Sequence, residues 1–204
     1  MHRPPSSDST PTIDPDAHVR TTITPVPWSD NLAHTGPANY PIRQHSRLPQ
    51  YDYSHAGSYF VTIRSFSGRP VFGYVDDGLV RLSPLGFVVR RCWLDIPRHY
   101  GAVTTDQYVV MPNHVHGILL MDTSDRTDAA SSRPTLSTIV GSFKSAVTRE
   151  WHGATGETEA IWQRGYYEHV IRRNESLDRI RQYVVNNPVR WSLDTDNPDR
   201  EGRR

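Results

Sequence analysis

Residues 106–122, DQYVVMPNHVHGILLMD, contain two short apolar runs, 107–111 and 114–121, on either side of a Pro-Asn pair. Proline and asparagine favour tight turns, so this stretch predicts two antiparallel strands joined at Pro112 and Asn113. Successive side chains of a strand point to opposite faces, so His114 and His116 leave the same face while Val115 leaves the other. The sequence therefore predicts two imidazoles side by side in an otherwise apolar sheet.

Strand patterns precede this pair. Residues 58–65 alternate in the manner of a strand and place Tyr59, Val61 and Ile63 on one face. The Asp-Asp-Gly sequence at 76–78 separates two short apolar runs, which is typical of a β-hairpin. Residues 161–172 are apolar and aromatic with strand-like alternation, and they predict a further strand.

Three amphipathic helices complete the pattern. The first begins with Ser83 as its cap and Pro84 at its first position, and Pro97 ends it. The second follows 135–151, and the third lies in NESLDRIRQYVVNNP (174–188), capped by Asn174 or Ser176 and ended by Pro188. The apolar stripes of these last two helices are Leu136, Ile139, Val140, Phe143 and Val147, and Leu177, Ile180 and Val184. The order of elements predicts an α+β domain with a mainly antiparallel sheet and helices packed against it.

The ends of the chain differ from its middle. Residues 1–42 are rich in Pro, Thr, Ser, Asp and Asn, and they predict a disordered or loosely attached tail. The predicted domain spans 43–191, and 192–204 form a C-terminal tail. No apolar segment resembles a signal peptide or a membrane span, so we expect a cytoplasmic protein without a membrane partner.

Charge and cysteine content narrow the chemistry. Although the formal net charge is only +1, residues 43–191 hold 18 Lys and Arg against 14 Asp and Glu, and six of the Arg lie within 161–191. Such a local cluster suits contacts to phosphate, or it is simply a solvated helix face. The single cysteine, Cys92, excludes a cysteine-based zinc site and an intrachain disulfide. The sequence also lacks the phosphate-binding GxxxxGK pattern, which argues against a nucleotide cofactor.

Two neighbouring imidazoles supply two ligands of a divalent metal site, or they are hydrogen-bonded histidines of the core. Further ligands must come from another element. The best candidate lies on the last helix, where Tyr183 and Asn187 stand four residues apart and share one helical face. Asn187 precedes Pro188, so it could also serve only to end the helix.

These motifs resemble a known family. MPNHVHGILL resembles the HUH motif, two His around a hydrophobic residue, of the single-strand tyrosine transposases, and QYVVNNP resembles their catalytic-tyrosine helix. The similarity extends through RLPQYDYSHAGSYFVTIRS, FKSAVTREW and IWQRGYYEHVIRR, and so covers about 43–191. Among the branches of the family, the REP-associated tyrosine transposases are the most similar.

The resemblance implies a ferredoxin-like, RNA-recognition-motif-like fold of the HUH endonuclease type. It implies that Tyr183 attacks a phosphodiester of single-stranded, hairpin-forming DNA and that His114, His116 and Asn187 bind Mg²⁺ or Mn²⁺. Insertion-sequence relatives commonly carry Gln at the position of Asn187, whereas Asn agrees with the REP-associated branch. Both a monomer and a homodimer fit the family, and binding to DNA would place the protein at the nucleoid.

Other interpretations remain open. Tyr166 and Tyr167 are rival nucleophiles, although we expect one of them in the core and one stacked on a base. Contacts to DNA phosphates are expected from Lys144, Arg149, Arg164, Arg172 and Arg173. The chain could instead be a catalytically silent DNA-binding relative of a transposase. A metal hydrolase of small substrates would need neither Tyr183 nor the arginine cluster.

Overall fold

The main sheet of the fold has two central strands, Gly57–Arg64 and His114–Met121. The computed structural model of the protein describes residues 56–122, 134–172 and 174–200, with only the backbone of 174–176. The strands are β1 (Gly57–Arg64), β2 (Gly73–Asp76), β3 (Leu79–Leu82), β4 (Val103–Val110), β5 (His114–Met121) and β6 (Tyr167–Ile171). The helices are α1 (Pro84–Leu94), α2 (Ile96–His99), α3 (Leu136–Thr155) and α4 (Asn174–Asn186), with 3-10 turns at Phe66–Gly68 and Pro188–Leu193.

The main sheet has the order β4-β5-β1-β6, and each neighbouring pair is antiparallel. With α1 between β1 and β4, and α3 between β5 and β6, this is the ferredoxin-like arrangement. The predicted α+β class and the ferredoxin-like sheet are therefore confirmed. The predicted segments 1–42 and 43–55 lie outside the described residues.

The hairpin β2–β3 is a separate two-stranded sheet inserted between β1 and α1. Its turn residues Asp77 and Gly78 have φ values of 48° and 71°. Two consecutive left-handed residues are what a two-residue hairpin turn of type I′ requires, and Asp-Gly is a favoured pair for it. The hairpin predicted from Asp-Asp-Gly is confirmed.

Two predicted boundaries are wrong. Helix α1 begins as predicted, with the Ser83 side chain accepting a hydrogen bond from the Gly86 N–H, but it ends at Leu94 rather than at Pro97. Because proline lacks an N–H and its ring clashes with the preceding turn, the chain starts the separate helix α2, with Pro97 in its first turn. The strand predicted over 161–172 covers only Tyr167–Ile171. Gly165, at φ 75°, interrupts it, and Trp162 forms only an isolated bridge to Ser65.

The sheet buries both of its faces. Tyr59, Val61 and Ile63 are fully buried on the face covered by α1 and α3. On the opposite face, Phe60 of β1 packs with Val184 of α4, together with Ile118 and Ile171. Helix α4 therefore lies over the face from which His114 and His116 project. Among the described residues, no helix is both long and apolar enough to cross a membrane.

Candidate metal and tyrosine site

The two predicted histidines lie together beneath α4. His114 is fully buried and His116 is 5% exposed. Their ring centroids are 4.4 Å apart, at an interplanar angle of 65°. The His116 ring also stacks on Phe60, with centroids 5.3 Å apart. That both rings lie on one face of the sheet follows from the strand alternation predicted from the sequence.

The neighbouring Asn113 orients His114. Asn113 donates hydrogen bonds from Nδ2 to the Asp196 carbonyl at 2.7 Å and the Gly68 carbonyl at 3.0 Å. Its Oδ1 therefore points the other way, 2.8 Å from His114 Nδ1. Because an amide oxygen only accepts, Nδ1 of His114 carries the proton and Nε2 keeps its lone pair. That buried Nε2 has no hydrogen-bond partner.

His116 is oriented from two sides. Its Nδ1 lies 2.9 Å from the Thr62 hydroxyl of the neighbouring strand. Its Nε2 lies 3.4 Å from the Tyr183 hydroxyl on α4. When Nδ1 donates to Thr62, Nε2 presents its lone pair towards Tyr183, as a metal ligand or hydrogen-bond acceptor would. Strand β1 and helix α4 thus contact the two nitrogens of one imidazole ring.

Both imidazoles are kept neutral. Burial and then the charge of Arg64 lower the pKa of His116 to about 3. Burial, followed by His116 and Arg64, lowers the pKa of His114 well below its usual value. Since only a neutral imidazole binds a metal, both rings are in the binding form at neutral pH.

Tyr183 and Asn187 lie one helical turn apart near the end of α4. The Tyr183 ring packs edge-on against Phe60, with centroids 5.9 Å apart, and lies 5.3 Å from the His116 ring. Asn187 is 4% exposed, and its buried Oδ1 has no hydrogen-bond partner. Four residues further on, the Trp191 ring lies 6.1 Å from the His114 ring. The chain on both sides of Asn187 therefore passes over the histidine pair.

The donor set fits a divalent metal. His114 Nε2 and Asn187 Oδ1 are buried lone pairs without partners, and leaving such groups unpaired costs about 1–3 kcal/mol each. A cation bound by both atoms would remove that cost. Within the described parts of the chain, no three His, Cys, Asp or Glu side chains form a metal-binding group, so an amide such as Asn187 would have to complete the set. Nitrogen ligands suit Mn²⁺ better than Mg²⁺.

Several contacts at the site were not predicted from the sequence. Thr62 and Arg64 are the cross-strand partners of His116 and His114, so a prediction of strand register would have found them. The Arg64 guanidinium pairs with Asp196 at 2.7 Å, and Asp196 belongs to the predicted C-terminal tail. The sequence indicates only a turn at Asn113. No local pattern marks the contact of Asp196, because it depends on the path of the chain after α4.

The residues expected to contact DNA phosphates differ in their exposure and in their contacts within the protein. Lys144 donates from Nζ to the carbonyls of Gln163, at 2.7 Å, and Gly165, at 3.1 Å, and so ties α3 to the segment before β6. Together with Arg149 and Trp162 it also lines an open groove. Arg164 and Arg172 are exposed. Arg173 lies outside the described residues.

Tyr166 and Tyr167 pack on opposite faces of the sheet. Tyr166 contacts the core beneath α1 and α3, and its hydroxyl lies 3.2 Å from the Ser137 hydroxyl. Tyr167 packs against Phe60 on the α4 face, with ring centroids 6.5 Å apart. Tyr183, the expected nucleophile, has its hydroxyl 3.4 Å from Nε2 of His116.

Comparison with known proteins gives two solved structures with partial similarity and one similar sequence. No family model matches the chain. A REP-associated tyrosine transposase bound to a REP hairpin is similar over 72% of this chain and 74% of its own, with a TM-score of 0.48 and 20% identity. A proposed transposase from Deinococcus radiodurans is similar over 65% of this chain and 91% of its own, with a TM-score of 0.41 and 17% identity. In sequence, the chain is 34% identical over 165 residues to an uncharacterized protein of Haemophilus influenzae, covering 74% of this chain and 91% of that protein, and it belongs to the same family as that protein.

Proposed function

We propose that the chain is a metal-dependent tyrosine transposase of the REP-associated type, which cleaves and rejoins single-stranded, hairpin-forming DNA. The observation that carries this proposal is the Tyr183 hydroxyl 3.4 Å from His116 Nε2, beside a buried His114 Nε2 without a partner. A buried histidine pair that served only the core would be expected to have all of its nitrogens paired. The resemblance of both motifs to those of the tyrosine transposases supports the same assignment.

In this proposal His114, His116 and Asn187 hold a divalent cation, Mn²⁺ or Mg²⁺. When bound, the cation draws electron density from the oxygens of the scissile phosphate and makes its phosphorus a better electrophile. Asn113 and Thr62 hold the two imidazoles in the tautomer and direction that binding requires. Burial keeps both rings neutral, so they remain ligands at the pH of the cell.

Tyr183 supplies the nucleophile. Its oxygen forms a bond to phosphorus and releases its proton, while the bond from phosphorus to the 3′ oxygen breaks and that oxygen takes up a proton. The products are a 5′-phosphotyrosine and a free 3′-OH. Because the covalent link conserves the energy of the phosphodiester bond, a 3′-OH can reverse the step without a nucleotide cofactor.

Covalent trapping tests this function. The protein is incubated with Mn²⁺ and 3′-labelled hairpin oligonucleotides, which include any palindromic repeats found in the DNA beside the gene. Wild type should give a labelled, denaturation-resistant adduct, since the protein stays on the 5′ end of the labelled fragment. Tyr183→Phe should give none, with hairpin affinity within about twofold of wild type. Tyr108→Phe, on the opposite face of the sheet, is the matched control and should react like wild type.

The catalytically silent alternative predicts a different result. Wild type would then bind the same hairpins without forming an adduct under any metal. An adduct that persists in Tyr183→Phe would instead contradict the choice of nucleophile and direct attention to Tyr166 and Tyr167.

A further inference from the structure

An ion pair joins the tyrosine helix to the edge of the main sheet. Arg181 of α4 donates from Nε to both carboxylate oxygens of Asp106, at 3.2 and 3.0 Å, and from Nη2 to Oδ2 at 2.6 Å. The Asp106 side chain is only 13% exposed, so this pair is partly shielded from water. We call Asp106 and Arg181 the latch. Fork-like contacts of this kind are directional as well as strong.

The backbone presents Asp106 for this contact. The register between β4 and β5 shifts between Thr105 and Tyr108, so Asp106 lies in a β-bulge. Bulges redirect a side chain that would otherwise follow the regular alternation of the strand. The Asp106 carboxylate also accepts a hydrogen bond from the Gln107 N–H at 2.7 Å, which fixes its orientation. A backbone hydrogen bond therefore orients the Asp106 carboxylate in addition to its contacts with Arg181.

The latch and Tyr183 lie on opposite sides of the apolar stripe of α4. A helix turns by about 100° per residue, so Arg181 lies about 100° to one side of Ile180 and Tyr183 about 60° to the other. Apolar contacts such as those of Ile180 and Val184 are not directional, whereas a forked ion pair is. A rotation of about 20° would move atoms about 6 Å from the axis by about 2 Å. That shift exceeds the tolerance for in-line attack.

We propose that Asp106 and Arg181 are positioning residues, which fix the rotation of α4 and thereby hold the Tyr183 hydroxyl at the histidine pair. This inference rests on the proposed function for its effect on reaction rate. Its structural part concerns the chain alone and can be tested without DNA. Arg181 also pairs with Asp178 at 2.8 Å within the same helix, a contact that cannot set the helix against the sheet. Asp178 therefore offers a matched control.

The first experiment measures access to the Tyr183 hydroxyl in the free protein. N-acetylimidazole is applied well below the unfolding temperature, and acetylation of Tyr183 is quantified by mass spectrometry of its peptide. Asp106→Asn and Arg181→Lys should each raise the acetylation rate of Tyr183 at least threefold. Without the latch α4 can rotate, and the Tyr183 hydroxyl then moves away from His116 and becomes more accessible. Asp178→Asn should leave the rate unchanged. Equal rates in wild type and both latch variants would overturn the proposal, whether or not the protein is a transposase.

The second experiment separates chemistry from binding. With a hairpin that forms the adduct, the single-turnover rate at saturating DNA should fall about 10- to 100-fold in Asp106→Asn, because a displacement of about 1 Å costs that much. The affinities for hairpin and Mn²⁺ should stay within about twofold, and Asp178→Asn should match wild type in all three. A parallel loss of hairpin affinity, or an unchanged rate, would count against a positioning role. Absence of the adduct in wild type would refute the proposed function. The acetylation experiment would then still test whether the latch positions Tyr183.

Discussion

Each imidazole of the pair is fixed by a different kind of neighbour. His114 donates to the amide of the residue before it, whereas His116 lies against a hydroxyl on the neighbouring strand. Asn113 is itself held by two backbone carbonyls, so rotation of its amide would break three hydrogen bonds at once. A histidine whose ring is oriented in this way would lose little conformational freedom on binding a metal.

The two consecutive asparagines at the end of α4 allow a sharp test of Asn187 as the proposed third metal ligand. Asn187 is buried with an unpartnered oxygen, while Asn186 is half-buried. We expect Asn187→Ala to weaken Mn²⁺ binding about 10- to 100-fold, since losing one ligand of a small set has at least the effect of losing a supporting contact. Isothermal titration of the DNA-free protein measures this.

Asn186→Ala serves as the control, because it makes the same chemical change one residue away. Its Mn²⁺ affinity should equal that of wild type. If the two variants bind Mn²⁺ equally well, Asn187 acts only as the residue that ends the helix.

At the scale of elements, Gly117 of β5 marks a position where α1 packs too closely against the sheet for any side chain to fit. Gly117 follows His116 on β5, and a Cβ placed there would overlap the Trp93 indole of α1. Trp93 is fully buried and central to the core on that face. The absence of a side chain at Gly117 therefore sets how closely α1 approaches the sheet.

Gly117→Ala should lower the free energy of unfolding by about 1–3 kcal/mol, the usual cost of overpacking a tight core. Urea denaturation followed by circular dichroism would measure it. Gly141 lies within α3 with open space around it, so Gly141→Ala should raise the same quantity by about 1 kcal/mol through helix propensity. Opposite signs in the two variants would support the packing argument, and a neutral Gly117→Ala would refute it.

The sequence is sufficient to predict most elements and insufficient to predict how they contact one another. Alternation in β1, the Asp-Gly turn and the capped start of α1 are local patterns, and all three are found in the structure. The shared face of His114 and His116 follows from strand geometry alone. Thr62, Arg64 and Asp106 reach their partners through register, a β-bulge and the packing of α4, and these depend on residues about 50 or more positions apart.

At the scale of the whole molecule, one chain brings its own tyrosine to its own histidines. Val184 is fully buried, and the latch and the Tyr183 contact hold the same helix. Only residues 172 and 173 separate β6 from α4. Two residues span at most about 7 Å, so α4 could reach a second chain only by pivoting away from its sheet. Completion of the site within one chain also avoids the entropy cost of association.

We therefore expect the protein to act without exchanging α4 between subunits. A mixture of Tyr183→Phe with the double variant His114→Ala, His116→Ala should give no covalent adduct, since neither chain holds both the tyrosine and the histidines. Wild type diluted with either variant should keep activity in proportion to its share, which controls for inhibition by the inactive chain. Adduct formation on the histidine variant, the chain that retains Tyr183, would demonstrate a site shared between two subunits. Gel analysis with variants of different mass distinguishes the chains directly.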